Sequence, residues 1–306
     1  MMNNIHSILM VRPSSFRINS QTTSNNYFQK TTHLNDAQVL EKACLEFDNL
    51  VSLLLSNGIP VNVFQDDLVL DTPDSIFPNN WISFHSNKRI AIYPMYAYNR
   101  RLERNDKIIK FIESKGIKID IINDYSDAEN HNLFLEGTGS MVLDRLNKKS
   151  YCSLSERTSE SLIEEFCDEF NYMPIVFNSY QNINKKRKLI YHTNVMMCVA
   201  NKYSIICLES IDSKIDKQIV IKSLKDDNKE IIEINEIQLN SFAGNMIELV
   251  FDNKSFLIMS SQAYKSLTKN QIQKIEKFSK IIHSSVETIE NCGGGSVRCM
   301  IAEVFN

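Results

Sequence analysis

In this 306-residue sequence a thiol, Cys299, an imidazole, His192, and a carboxylate, Glu136, are the groups best suited to carry chemistry. An unperturbed thiol has a pKa of about 8.5, and a neighbouring imidazolium or positive backbone end lowers it towards the reactive thiolate. His192 could then take and return the proton. The run Gly293-Gly294-Gly295 leads to Cys299, and its bare backbone N–H groups could approach developing negative charge. Singly, each group has an ordinary explanation: a packed thiol, a structural histidine, a turn carboxylate. They act together only if the fold makes their loops converge.

A repeat in the chain predicts that convergence. Five short β-branched segments recur at intervals of about 55 residues: Val61–Phe64, Ile119–Ile122, Pro174–Phe177, Ile231–Ile234 and Val286–Ile289. Helical spacing precedes several of them, with apolar faces at Leu40–Leu55, Leu162–Phe170 and Ile272–Ile281. Gly58 and Gly116 sit where the first two helical stretches should stop. Hairpin-like apolar pairs follow the strands. A unit this small cannot bury its own faces, so five units must pack around a common axis. The expectation is one α/β domain over residues 1–306, with Ser213–Glu230 as an exposed module. The loops converging on the axis are then 76–81, 134–139, 191–194, 242–245 and 292–299. They carry Asn80, Glu136, His192, Asn194, Asn245 and Cys299.

Bulk properties narrow the function. Hydrophobic residues make up 43% and charged residues 23%, enough for a packed core. A net charge of −3 gives no basic stripe for nucleic acid. No stretch reaches the roughly 20 apolar residues of a membrane helix, and the N-terminal residues lack a basic, apolar secretory pattern. Seven widely spread cysteines point to a reducing cytoplasm rather than a disulfide framework. No cysteine–histidine cluster has zinc spacing, so no metal and no cofactor are expected. The Cys–His order does not fit papain-like enzymes, the hydrolase elbow G-x-S-x-G is absent, and Gly137–Ser140 lacks the third glycine of a dinucleotide loop.

Six segments, in order, resemble the guanidino-group-modifying enzymes, nearest their arginine deiminase-related, citrulline-utilisation hydrolase branch. They are Val11-Arg12-Pro13 with Asn25–Gln29, Phe77–Trp81, Leu135–Arg145, Ser155–Thr158, His192-Thr193-Asn194 and Gly293–Met300. The resemblance implies a five-bladed α/β propeller, the pentein fold, and a small-molecule substrate; it leaves a homo-oligomer open. It implies Cys299 as nucleophile and His192 as general acid/base. Glu136 would bind the planar nitrogen group and steer His192. Asn80, Asp74, Asn194, Arg157 and Arg298 would contact substrate, with Arg157 on its carboxylate.

Departures from the deiminase pattern suggest the substrate. Gly139 stands where deiminases often carry Asp, Asn194 where they read H-x-D, and Asn80 at the place of a gripping Asp. A buried guanidinium wants charged partners, whereas a neutral ureido group suits amides. The expectation is therefore hydrolysis of a ureido amino acid, citrulline favoured, to ornithine, ammonia and carbon dioxide. The alternatives are a deiminase or dihydrolase acting on arginine or an N-acylated arginine, and a propeller that only binds.

Overall fold

In the computed structural model, which describes residues 4–305, the chain is built from five three-stranded sheets and one two-stranded hairpin. The first sheet joins both ends of the chain: β17 (Ala302–Val304) runs antiparallel to β1 (Ser7–Arg12), and β2 (Val61–Gln65) runs parallel to β1. The same pattern returns four times, each as an antiparallel pair plus a parallel third strand. The second sheet is β3 (Ile82–His85), β4 (Arg89–Ile92) and β5 (Ile121–Asp124). The third is β6 (Met141–Asp144), β7 (Lys149–Ser153) and β8 (Met173–Phe177). A hairpin of β9 (Tyr180–Ile183) and β10 (Lys186–Leu189) follows. The fourth sheet is β11 (Met197–Val199), β12 (Tyr203–Ile206) and β13 (Glu230–Glu233), and the fifth β14 (Ile247–Phe251), β15 (Lys254–Ser260) and β16 (Lys280–Ser284). The first strands of neighbouring sheets pack together, β17 beside β3, β6 beside β11, and β11 beside β14.

A helix bridges each parallel pair, as a parallel connection requires. The longest, Asp36–Ser56, opens on a reciprocal cap between Asn35 and Gln38 and buries Val39, Ala43, Phe47, Leu50 and Leu54 at helical spacing. It stops just before Gly58, whose φ of 81° a side chain would resist. The helix Asp106–Ser114 buries Ile108 and Ile112 and ends before Gly116, and Glu160–Phe170 ends on left-handed Asn171. Ser213–Glu230 is mostly the helix Lys214–Asp226, which buries Val220 and Leu224.

One expected strand is a helix. Val286–Ile289 leads into the helix Glu287–Gly293, and the fifth strand of the series, β16, lies earlier. The Glu46 carboxylate accepts hydrogen bonds from the backbone N–H groups of Thr288 and Ile289, satisfying donors that a helix start leaves open. That partner comes from the helix Asp36–Ser56, more than two hundred residues away. Ile281, expected on a helical face, lies in β16. The segment Ile119–Ile122 becomes strand only from Ile121.

Candidate active site

The converging loops all precede the first strand of a sheet. The turn Pro78–Asn80 leads into β3, the short helix Gly137–Ser140 into β6, Thr193–Met196 into β11, the Phe242–Asn245 turn into β14, and the Gly293–Met300 segment into β17. Their contacts leave no room for a side chain at several glycines, Gly139 and Gly244 among them. A Cβ on Gly139 would stand 2.4 Å from the Asn80 amide nitrogen and 2.8 Å from the His192 ring. A Cβ on Gly244 would meet the Val195 carbonyl at 2.3 Å. Gly139 therefore marks a close approach, and an Asp there could not coexist with this placing of Asn80 and His192.

Cys299 is buried and faces two amides. The Nδ2 groups of Asn245 and Asn194 lie 3.3 and 3.5 Å from its sulfur. Asn245 is itself fixed, its Oδ1 accepting from the Arg298 backbone N–H and its Nδ2 donating to the Asn194 carbonyl. Cys299 and His192 line one small cavity with Asn26, Asp74, Phe77, Asn80, Arg100, Arg157 and Tyr191. Its volume, about 10 Å³, is near the least that holds one water.

His192 and Glu136 form a buried pair, with His192 Nε2 2.7 Å from Glu136 Oε2. The other carboxylate oxygen accepts from the Tyr96 backbone N–H at 2.9 Å. Burial alone would raise the Glu136 pKa, but Arg157, the bond to His192 and Arg100 outweigh it and hold the carboxyl far below its usual range. For His192 burial is the largest influence, and Arg157 and Arg100 add to it. Together they overcome the pull of Glu136 and bring the imidazole down to about 4. At neutral pH the pair is thus a carboxylate and a neutral imidazole whose Nε2–H donates, which leaves Nδ1 as a lone-pair acceptor.

Both oxygens of Glu136 are therefore already engaged. Two other buried groups carry the open valences: Asp74 Oδ1 and Asn80 Nδ2 have no hydrogen-bond partner. Asp74 Oδ2 accepts from Asn19, and its pKa is raised by burial against the pull of Arg100. Asn80 Oδ1 accepts from Arg100 at 2.9 Å, which fixes the amide so that its NH₂ is the free side. Arg100 in turn is held by Glu103, whose carboxyl burial lifts to about 7.

Arg157 touches the cavity, yet its guanidinium bonds Asn25 Oδ1, the Thr22 carbonyl and Glu136, and covers the Tyr191 ring at 4.8 Å. Asn26 donates to the Gly293 carbonyl, so residues 22–26 roof the site. Arg298 does not reach the cavity. Its guanidinium turns to the Ile301 carbonyl and to Glu303, correcting the expectation that it contacts substrate. The Glu303 carboxylate, five residues on in β17, attracts it. Arg100 and Asn245 also stand at the site, beyond the residues expected to contact substrate. Asn245 was visible as part of a converging loop, whereas nothing in the spacing marked Arg100. Among the described residues, no group of three or more His, Cys, Asp or Glu could hold a metal, and no helix is long and apolar enough to cross a membrane.

The family model for N,N dimethylarginine dimethylhydrolase, eukaryotic, matches residues 12–306. The chain belongs to this family. It is accordingly a hydrolase of the pentein, guanidino-group-modifying superfamily. No curated protein sequence matches it. Solved structures share its α/β fold. Apo ArgZ, an arginine dihydrolase from the ornithine–ammonia cycle in cyanobacteria, aligns with a TM-score of 0.73 at 16% identity over 98% of this chain and 40% of that one. The chain thus spans two-fifths of that dihydrolase. It covers 98% of the isolated ArgZ N-terminal domain bound to substrate, at 16% identity and a TM-score of 0.71. A dimethylarginine dimethylaminohydrolase adduct with S-methyl-L-thiocitrulline aligns over 98% of this chain and 99% of that one, at 16% identity and a TM-score of 0.61.

Proposed function

We propose that the hydrolase uses Cys299 as nucleophile on the central carbon of a ureido or guanidino group, with citrulline favoured. The supporting observation is the cavity that joins Cys299 and neutral His192 and carries one unpaired donor, Asn80 Nδ2. A ureido oxygen is an acceptor that this NH₂ can satisfy; a guanidinium offers only donors. In the first half-reaction the thiol proton passes to His192 Nδ1 and sulfur bonds to carbon. His192 then protonates the departing nitrogen as the C–N bond breaks. Ionised Glu136 steadies the transient imidazolium. Water, deprotonated by His192, hydrolyses the thio-intermediate and restores the thiol. Citrulline would give ornithine, ammonia and carbon dioxide.

The unpaired acceptor Asp74 Oδ1 favours a second reading, arginine or a derivative of it as substrate. It can receive a guanidinium N–H, or equally the substrate's ammonium. Arg157 and Asn194 serve positioning in either reading, Arg157 by holding Glu136 and the roof, Asn194 by holding sulfur. The five like sheets, the first of which joins β1 to β17, support one domain over 1–306 arranged as a five-bladed propeller; residues 1–3 and 306 lie outside the described part. Seven free cysteines suit a reducing cytoplasm, and the chemistry needs no cofactor.

Separate incubation with citrulline, arginine and dimethylarginine, with ammonia, methylamines, citrulline and ornithine assayed, tests the reading. Ornithine from citrulline supports it. Citrulline accumulating from arginine or dimethylarginine, with citrulline itself inert, rejects the ureido preference.

A further inference from the structure

At the far ends of the inner strands, away from Cys299, a second cavity of about 180 Å³ opens between two hairpin turns. Among the described residues its wall carries three cations, Arg89, Arg145 and Lys148, and no carboxylate. Each cation is seated on an aromatic ring: Arg89 on Phe170 at 4.4 Å, Arg145 on Phe305 at 4.5 Å, Lys148 on Tyr172 at 4.7 Å. Such seats hold the charges in place before any ligand arrives, so less ordering is needed on binding.

Compensation behind the wall is incomplete. Glu169 pairs with Arg89 at 3.3 Å. Glu303 is shared between Arg145 and Arg298. Lys148 has no carboxylate partner among the described residues. Burial, then the charges of Arg145, Lys148 and Arg89, hold the buried His85 imidazole well below its ordinary pKa, an internal sign that the region is positive. His85 consequently stays neutral, its Nε2 bonded to Ser83 Oγ and its Nδ1 facing Arg145. Ser86 and Asn87 add uncharged donors at the rim. Three converging cations with polar donors and, among the described residues, no acid on the wall are complementary to a compact, multiply charged oxyanion.

We propose that this cavity is a binding site for a small multivalent oxyanion, bearing either phosphate or several carboxylates, distinct from the catalytic cavity. Inorganic phosphate and citrate are the probes, titrated calorimetrically into the full chain at constant ionic strength against chloride. The expected result is saturable 1:1 binding, with the tighter of the two probes identifying the ligand's chemistry. Lys148→Asn should weaken it about tenfold or more, the loss of one charged contact. Lys148 sits at a φ of 53°, a conformation Asn accepts, so this variant should melt like the parent. Lys115→Asn removes a like charge, also seated on a ring, from a remote helix end, and should bind as the parent does. Absence of saturable binding to either probe, or equal weakening in both variants, would overturn the proposal.

Discussion

Replacing Gly139 by Ala should disable catalysis while leaving the fold standing. The new methyl would lie 2.4 Å from Asn80 Nδ2 and 2.8 Å from both Cε1 and Nδ1 of His192. To regain ordinary contact at about 3.5 Å, the amide must retreat by about 1 Å and the ring by somewhat less. Neither group can yield freely, since Arg100 holds Asn80 and Glu136 holds His192. The displacement therefore falls on the atoms that must meet the substrate, where a misplacement of about 1 Å can cost about a hundredfold in rate. Gly139 does not have a positive φ, so backbone strain adds little. Overpacking of this kind costs about 1–3 kcal/mol in stability, which a folded domain can survive. The assay is kcat and KM by ammonia release on the best substrate, with thermal melting alongside. A variant within about threefold of the parent in kcat/KM, with its fold intact, would show that this placing of His192 and Asn80 has no part in the reaction.

Two further outcomes follow from the buried acids and bases. With His192 at about 4, the acid limb of kcat/KM should fall as pH drops through that value rather than through 6.5; a pH–rate profile over the range in which the fold survives measures it. Glu290 lies under the glycine run, bonded to Ser296 through one oxygen and unpaired at the other, and burial lifts its carboxyl to about 7. A folded pKa raised above the unfolded one gives stability that is full below about 4.3 and lost as pH rises through about 7. Glu290→Gln should accordingly raise the melting temperature at pH 8 and change it little at pH 4.5; a parallel loss at both values would refute the reasoning.

The architecture was legible in the sequence because strand and helix periods were regular. Apolar spacing located the helix Asp36–Ser56, and four of the five recurring strand segments fell in the third strands of their sheets. The fifth failed where a distant carboxylate, Glu46, supplied the helix start at Glu287. The loops bearing Asn80, Glu136, His192, Asn245 and Cys299 were readable from the repeat. What each side chain faces was not. Arg298 adjoins Cys299 in sequence yet pairs with Glu303, whereas Arg100 reaches Asn80 from a helical turn that no periodicity marks. Charge pairing across loops decides such orientations, and one-dimensional spacing carries no record of it. For the substrate, buried Asp74 and the opposing Arg100 make the open hydrogen-bond valences a better guide than the count of missing carboxylates.

The central claim is that Cys299 makes the covalent bond. Acid-quenching the enzyme during turnover, followed by intact mass and peptide mapping, addresses it directly. The account predicts a substrate-dependent adduct confined to the peptide bearing Cys299, and no ammonia release from the Cys299→Ala protein. Turnover that survives Cys299→Ala, or an adduct that maps to another of the seven cysteines, would contradict it.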